Sequence, residues 1–299
     1  MDWAHRQTDK MLFKLEKTIS NHYTRLFTVM QFIFSQKYDP EDSLSETILN
    51  TKQYKDMETE LARIVHDTNL LSAAEVRALF PKVYSFNANY AMYQIEQGAK
   101  ISTAFNLVDE ATVERLIRKN PELLPRFKPK SLKDVVWNRR KIHSCVLQGI
   151  LKGETNKDIA QLFQTVVGMN KSSAIRNART ATTAAECGGR VYSYEKAEEM
   201  GIELEQEWQA TLDGRTRHSH RVLDGEKIKV GGTFSNGCKY PGDPDGEPEE
   251  VYNCRCTLVA AIKGIDNSRN ERLTTMEQSY SDWKQGKRLT YGESRDING

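Results

Sequence analysis

Apolar residues recur at three- and four-residue steps through the first two thirds of the chain, which is the spacing of one face of an α-helix. The first stripe predicts a helix over residues 3–35, and Asp39-Pro40 ends it. We expect this stripe and those that follow to form the core of a helical bundle. The residues of the first stripe are Leu12, Leu15, Ile19, Tyr23, Leu26, Met30 and Ile33.

Capping signals divide the helical region into separate predicted helices. A serine or threonine followed three residues later by an acidic residue satisfies amide groups in the first turn of a helix. One helix is predicted to end near Gly188 and the last one at Gly201, because glycine readily adopts the left-handed conformation that ends a helix. The predicted helix starts are Ser43, Ser72, Ser131, Thr155, Asn170 and Tyr194.

After Gly201 the helical spacing gives way to short alternating segments separated by glycine and proline. Alternation predicts strands near residues 202–205, 228–230 and 251–259. The predicted fold class is α+β, with a mainly helical N-terminal two thirds followed by a small mixed module of short antiparallel strands. The predicted regions are a helical N-terminal region (1–130), a second helical part (131–201), a strand-and-loop module (202–263) and a tail with a short helix (264–299).

The composition of the chain limits the kinds of partner that we expect it to bind. The chain has 299 residues, and 43 basic against 41 acidic residues give a net charge of +2. That balance does not indicate binding of nucleic acid or an anionic membrane by overall charge. No apolar run approaches the roughly 18 residues that span a bilayer, and the N-terminus lacks the apolar core of a signal peptide. We therefore expect a soluble protein made in a cytoplasm, with no membrane partner.

Basic residues concentrate between Arg115 and Lys141, where ten lysines and arginines accompany two acidic residues. The run Arg139, Arg140 and Lys141 is a candidate contact with the phosphates of double-stranded DNA, whose affinity would fall as salt rises. A solvated helix face is the alternative interpretation.

Histidine and cysteine residues concentrate between residues 208 and 257. Cys254 and Cys256 share one face of a predicted strand, with α-carbons about 7 Å apart if it is fully extended. That separation disfavours a disulfide, and the odd count of five cysteines favours reduced thiols or metal ligands. The pair suits a zinc ion, with His220, His218 and Cys238 as candidates for the remaining ligands. Thiols packed as small apolar groups are the alternative, and no other cofactor is predicted.

Asp213 and His220 also fit an acid–base or metal-dependent hydrolytic site. The chain has neither a nucleophile elbow nor a His-Glu-x-x-His pair. Asp213-Gly214 is equally a turn, in which Asp213 pairs with Arg215 or Arg217. We therefore predict a protein without enzymatic activity, and a metal-dependent hydrolase is the least favoured alternative.

Five ordered motifs follow one another between residues 149 and 262. Together they resemble the phage Mu F-like family, the minor head or head morphogenesis proteins of tailed bacteriophages. The helical region before them carries no matching motif. The motifs are Ala178-Arg179-Thr180, Trp208-x-Ala210-Thr211-x-Asp213-x-Arg215-Thr216-Arg217-x-x-His220, Leu223-Asp224-Gly225, Tyr240-Pro241-Gly242-Asp243-Pro244 and Asn253-Cys254-Arg255-Cys256.

The resemblance implies a structural virion protein inside the head near the portal, supporting head assembly, DNA packaging or DNA ejection. Its implied partners are the portal protein and the major capsid or scaffold protein, and it would be present in the host cytoplasm during assembly. A DNA-binding virion protein that travels with or protects the genome is the alternative. Cys238 lies outside the family pattern, and the tail after residue 263 is expected to be too short for the toxin domain that some relatives carry. The motif residues expected to be structural are Trp208, Asp213, Arg217, His220, Asp224, Gly225, Pro241, Gly242 and Asn253.

Overall fold

The structure is a computed structural model that describes residues 2–125, 134–263 and 276–287. Helices form most of the first two thirds of the described chain, and a three-stranded antiparallel sheet follows them, which confirms the predicted α+β class. Short 3-10 helices lie at Glu46–Asn50 and Pro121–Leu123. The helices are α1 (Trp3–Ser35), α2 (Lys52–Ala99), α3 (Glu110–Lys119), α4 (Val135–Lys152), α5 (Asn156–Glu199), α6 (His218–Val222), α7 (Pro248–Val251) and α8 (Met276–Lys284), and the strands are β1 (Leu204–Gln209), β2 (Lys227–Lys229) and β3 (Thr257–Ile262).

Two of the predicted helix starts are wrong, because α2 and α5 run through them. Ser72 lies inside α2, where its hydroxyl donates to the carbonyl of Thr68 at 2.9 Å. Asn170 lies inside α5, and its Nδ2 donates to the carbonyl of Val166 at 2.9 Å. Both side chains bond to the preceding turn of the same helix, a use that sequence spacing does not distinguish from capping.

The predicted helix end near Gly188 and the predicted start at Tyr194 are also wrong. A Cβ at Gly189 would lie 2.3 Å from the carbonyl oxygen of Tyr84, so the backbones of α5 and α2 approach too closely there for any side chain. The glycine pair therefore serves close helix packing and not helix termination.

Two of the other predicted helix ends, at Thr155 and at Gly201, agree with the structure. Thr155 precedes α5, and its Oγ1 accepts the backbone N–H of Asp158 at 3.3 Å. Gly201 follows α5 with φ of +86°. The segment after Ser43 forms the first 3-10 helix instead of the start of α2. The predicted start at Ser131 lies outside the described residues, and Asp134 caps α4 by accepting a first-turn amide at 2.7 Å.

The chain divides into two compact units built from interleaved segments. The sheet unit comprises Met1–Met11, Leu79–Pro125 and Arg179–Gly299. The helical unit comprises Leu12–Ala78 and Arg126–Ala178. The predicted boundaries at residues 130, 201 and 263 follow changes of secondary structure, whereas these units follow packing.

Four buried polar side chains form a continuous series of hydrogen bonds within the helical unit. The Tyr23 hydroxyl donates to Asn69 Oδ1 at 2.6 Å, and Asn69 Nδ2 donates to Asn170 Oδ1 at 2.8 Å. Asn170 Nδ2 then donates to Asn138 Oδ1 at 2.8 Å. A connected network of this kind fixes the register of α1, α2, α4 and α5, because a shifted helix would leave buried amides unpaired.

A buried ionic network ties together distant segments of the sheet unit. Arg190 on α5 is 1% exposed and lies 2.7 Å from Asp2 and 3.3 Å from Glu186. Its Nη1 also donates to the carbonyl of Leu258 on β3 at 2.7 Å. His5 Nδ1 lies 2.8 Å from the same carboxylate oxygen of Glu186 that Arg190 contacts. The charges are therefore paired with one another, as burial requires.

The sheet has the strand order β2-β1-β3, and both pairings are antiparallel. Along β1 the side chains of Leu204, Gln206 and Trp208 are buried, which gives the alternation expected of a half-covered sheet. The predicted strand over residues 251–259 is corrected to Thr257–Ile262, because α7 and a turn with Asn253 at φ of +56° occupy its first part. Among the described residues, no helix combines the length and apolar character needed to cross a membrane.

Candidate functional site

Trp208 lies at the centre of the motif cluster in the sheet unit. It is fully buried on β1, and its ring packs edge-on against the rings of His220 (5.3 Å between centroids) and Phe234 (5.1 Å). His220 comes from α6, the short helix that follows the Asp213 turn. The tryptophan therefore fixes the position of the histidine ring within the core.

Three of the candidate zinc ligands, His220, Cys254 and Cys256, meet at this point. His220 Nδ1 lies 3.6 Å from Cys254 Sγ and 3.4 Å from Cys256 Sγ, and the three donor atoms all lie within 4.8 Å of one another. Each residue is at most 2% exposed. Cys238 is also buried but lies outside this group, and no further His, Cys, Asp or Glu joins it within the described parts of the chain.

The two cysteines belong to the cysteine loop (residues 252–256), which α5 holds from one side. Thr180 Oγ1 accepts the N–H of Asn253 at 3.2 Å, and Thr183 Oγ1 donates to the carbonyl of Cys254 at 2.6 Å. The loop is not the extended strand that alternation predicts, so both thiols turn towards one histidine. Thr180 in the first motif thus has a structural explanation.

Arg217 and Asp224 both bond to backbone groups of neighbouring loops. The Arg217 guanidinium donates to the carbonyls of Glu250 (3.3 Å) and Tyr252. The Asp224 carboxylate accepts the N–H of Ala210 at 2.8 Å. Both contacts lock loops that surround His220 and the cysteine loop.

Asp213 pairs mainly with Arg255, a partner that the sequence did not indicate. Arg255 donates twice to its carboxylate, at 2.6 Å each, whereas the predicted partner Arg215 lies 3.7 Å away. The hydrogen bonds from Arg255, followed by the backbone N–H of Arg215, hold the pKa of Asp213 well below its usual range. The pair connects the turn before α6 to the cysteine loop.

The two thiols of the loop differ in acidity. Burial raises the pKa of Cys254 well above its usual value. The pKa of Cys256 is lowered to about 4, first by the hydrogen bond from Cys254 and then by His220, although burial opposes this. The thiol of Cys256 is therefore the more acidic of the two, because Cys254 and His220 both face it.

Glu250 completes the surroundings of His220, and no sequence motif pointed to it. One of its carboxylate oxygens lies 3.0 Å from His220 Nε2, although the ring is not aligned with it for a linear hydrogen bond. Ser219 Oγ (3.1 Å) and Asn236 Nδ2 (3.1 Å) donate to the same carboxylate. Burial raises the pKa of Glu250, but these donors and His220 lower it below its ordinary value.

The Pro241-Gly242 motif lies against α5. Gly242 has φ of +79°, and a Cβ there would lie 2.8 Å from the backbone nitrogen of Ala184. Gly225 has nearly the same conformation, with φ of +82°, but a Cβ there would meet nothing within 4 Å. Residue 242 must therefore be glycine both because its backbone is left-handed and because it lies so close to α5. At residue 225 only the left-handed backbone requires glycine.

Alanine at these two glycines is expected to destabilise the protein to different extents. Gly225→Ala should cost about 1–2 kcal/mol, the strain of a left-handed backbone. Gly242→Ala should cost more, because the α5 backbone must also move. Urea unfolding of both variants measures the difference, and equal losses would contradict the close approach of the loop to α5.

The candidate DNA-binding residues lie on α4 in the helical unit. Arg139, Arg140 and Lys141 are exposed. Arg139 lies 2.6 Å from Glu58, and the Lys141 ammonium lies 5.6 Å from the centre of the Trp137 ring. DNA contact at this run stays a prediction. Outside the described residues lie other basic members of the predicted segment: Arg126, Lys128, Lys130 and Lys133.

Comparison with known proteins found two relatives whose names state a function. The minor head protein GP7 of Bacillus phage SPP1 is 24% identical over 302 residues, which is 96% of this chain and 94% of GP7. The NAD(+)–arginine ADP-ribosyltransferase EFV of Enterococcus faecalis is 26% identical over 203 residues. That match covers 64% of this chain but spans only 40% of the enterococcal protein. No solved structure matches the chain.

A family model matches the part of the chain that carries the motifs. The model for Phage Mu protein F like protein matches residues 140–259, which include α6, the sheet strands β1 and β2 and the cysteine loop. The resemblance predicted from the five motifs is thereby confirmed. The chain carries a Phage Mu protein F like domain over residues 140–259, within a sequence similar along nearly all its length to a phage minor head protein.

Proposed function

We propose that this chain is a non-enzymatic minor head protein of a tailed bacteriophage, located inside the head near the portal and acting in head assembly, DNA packaging or DNA ejection. The observation that carries the proposal is the match to GP7 over 96% of this chain and 94% of that protein. Because it extends beyond residues 140–259, the match relates the helical region as well as the domain to a head protein.

The contacts of the motif residues favour a structural role. Arg217, Asp224 and Thr180 bond to backbone carbonyls or amides, and Asp213 is neutralised by Arg255. None of these side chains is thereby left free to act as an acid or base on a substrate. The ADP-ribosyltransferase name belongs to a relative most of whose length lies outside the match, so that activity is not part of the proposal.

Exposed apolar side chains on α1 support contacts with other head proteins. Phe13 is 70% exposed and Phe32 is 62% exposed, and Val29 on the same helix is 45% exposed. Val29 and Phe32 are three residues apart and therefore neighbours on one helix face, and adjacent exposed apolar side chains mark surfaces that bind another protein. The proposed partners are the portal protein and the major capsid or scaffold protein, and double-stranded DNA is a further candidate through Arg139, Arg140 and Lys141.

Deletion and complementation test the role in heads. Removal of the gene from its phage should lower the yield of infectious particles, and the wild-type gene should restore it. Arg217→Ala should restore it poorly and enter heads less, because the carbonyls of Glu250 and Tyr252 lose their donor. Arg215→Ala is the matched control, since that side chain is 76% exposed.

Two outcomes would overturn the proposal. One is an undiminished yield of infectious particles without the gene. The other is an Arg217→Ala protein that enters heads normally while a catalytic turnover of the wild-type protein disappears.

A further inference from the structure

The distances from His220 Nδ1 to the sulfurs of Cys254 and Cys256 match the distances between the ligands of a metal site. In tetrahedral zinc sites the Zn–S bond is about 2.3 Å and the Zn–N bond about 2.0–2.1 Å, so sulfur and nitrogen ligands lie about 3.6 Å apart. Cys254 Sγ and Cys256 Sγ lie 3.6 and 3.4 Å from His220 Nδ1. The side chains thus need little movement to share one ion.

Hydrogen bonding alone accounts less well for the same distances. A neutral imidazole nitrogen that accepts has one lone pair, so it accepts one S–H donor. Both sulfurs nevertheless converge on the same atom, Nδ1 of His220. Convergence of two sulfurs and one nitrogen is the arrangement that a shared metal ion produces.

The other nitrogen of His220 faces the kind of group that supports a metal-binding histidine. Glu250 lies 3.0 Å from Nε2 and is itself held by Ser219 and Asn236. The negative charge of a carboxylate 3.0 Å from Nε2 favours the proton on that nitrogen, which leaves the lone pair of Nδ1 for a metal. In metal sites, a carboxylate placed behind a histidine in this way orients the ring towards the ion.

The ligands are held in place before any ion binds. Trp208 packs on the His220 ring, Thr183 bonds to the carbonyl of Cys254, and Arg217 bonds to the carbonyls of Glu250 and Tyr252. A preformed site loses little conformational freedom when the ion enters, and so binds it more tightly.

We propose that His220 Nδ1, Cys254 Sγ and Cys256 Sγ bind one zinc ion as a structural centre of the sheet unit, with Glu250 as the carboxylate behind the histidine. Thiolate and imidazole ligands select zinc over magnesium or calcium. Two thiolates balance the two positive charges, which permits burial of the ion. The fourth position belongs to a water molecule, and Cys238 and Cys187 are not ligands. The site is independent of the proposed role in heads.

Zinc binding to the full chain without an affinity tag tests the proposal. Native mass spectrometry should show one zinc ion per chain, removed by a chelator and restored by added zinc. The melting temperature should fall after chelation and recover with zinc. Cobalt(II) added to the metal-free protein should give thiolate-to-cobalt absorption bands, which buried thiols without a metal do not produce.

Variants assign the ligands. Cys256→Ser and His220→Asn should lose zinc and the cobalt bands, while Cys238→Ser and Cys187→Ser should keep both. Glu250→Gln should bind zinc about 10–100-fold more weakly, and exposed Glu249→Gln is the matched control. Should a ligand variant fail to fold, the wild-type measurements decide by themselves.

The proposal is overturned if the folded wild-type chain takes up neither zinc nor cobalt. It is equally overturned if Cys256→Ser binds zinc as tightly as the wild type, or if Cys238→Ser or Cys187→Ser loses it.

Discussion

Replacement of Arg190 by alanine is expected to lower the free energy of unfolding by about 3–5 kcal/mol, because removal of one member of a buried ionic network leaves the others without a counter-charge. Glu186 is 3% exposed and Asp2 13% exposed, and both pair with the 1% exposed Arg190. The variant also leaves the carbonyl of Leu258 without its donor. The substitution therefore removes, in a single step, the contacts that connect α5 to the N-terminus and to β3.

The loss should depend on pH in a defined direction. Burial raises the pKa of Asp2 and of Glu186, but Arg190, together with His5 in the case of Glu186, lowers both below their ordinary values. In the wild type these carboxylates therefore add stability above the unfolded pKa, and this stability disappears as the pH falls through the folded pKa. Without Arg190 both carboxyl groups are easier to protonate, so the difference between variant and wild type should shrink at acid pH.

Urea unfolding at pH 7 and near pH 4 measures both effects. Lys196→Ala on the same helix is the control, because its pair with Glu199 is exposed and such pairs contribute about 0–1 kcal/mol. A loss in Arg190→Ala no larger than that in Lys196→Ala, and the same at both pH values, would show that the buried network does not stabilise the unit.

Trp208→Ala is expected to cost about 3–5 kcal/mol, the range for deletion of a fully buried aromatic side chain. Trp208 is 0% exposed and supports the rings of both His220 and Phe234. A cavity at this point removes the surface that orients His220. Zinc affinity should therefore fall together with stability.

Denaturant unfolding and zinc titration of the same samples test this coupling. Trp208→Phe is the matched control, since it keeps an aromatic ring and should lose less of both. A stable Trp208→Ala protein, with a loss below about 1 kcal/mol, would mean that the ring is not the centre of this core.

Sequence spacing predicted the local features well. The three- and four-residue repeat predicted α1 from residue 3 to residue 35, the bounds that the structure has. Thr155 was predicted as the start of one helix and Gly201 as the end of a later one, and both positions bound α5, because caps depend on neighbouring residues alone. The interior of α5 was mispredicted at Gly188, since glycine in a helix can serve either termination or close packing against another segment.

Contacts between distant segments explain most of what sequence did not reveal. Glu250 lies 30 residues from His220 in the chain, and Arg190 pairs with Asp2 across 188 residues. Neither pair has a local pattern. The motifs did identify His220, Cys254 and Cys256, but the turn at Asn253 that aims both thiols at one nitrogen was visible only in the structure.

The amount of this chain in purified phage heads tests the central claim most directly. Heads are collected from cells that carry the gene in its native genetic context, separated from soluble protein on a density gradient, and analysed by quantitative mass spectrometry. A minor head protein should co-purify with the heads, remain after a high-salt wash and be present at far fewer copies than the major capsid protein. Heads that lack the chain while it is abundant in the soluble fraction would contradict its assignment as a head protein.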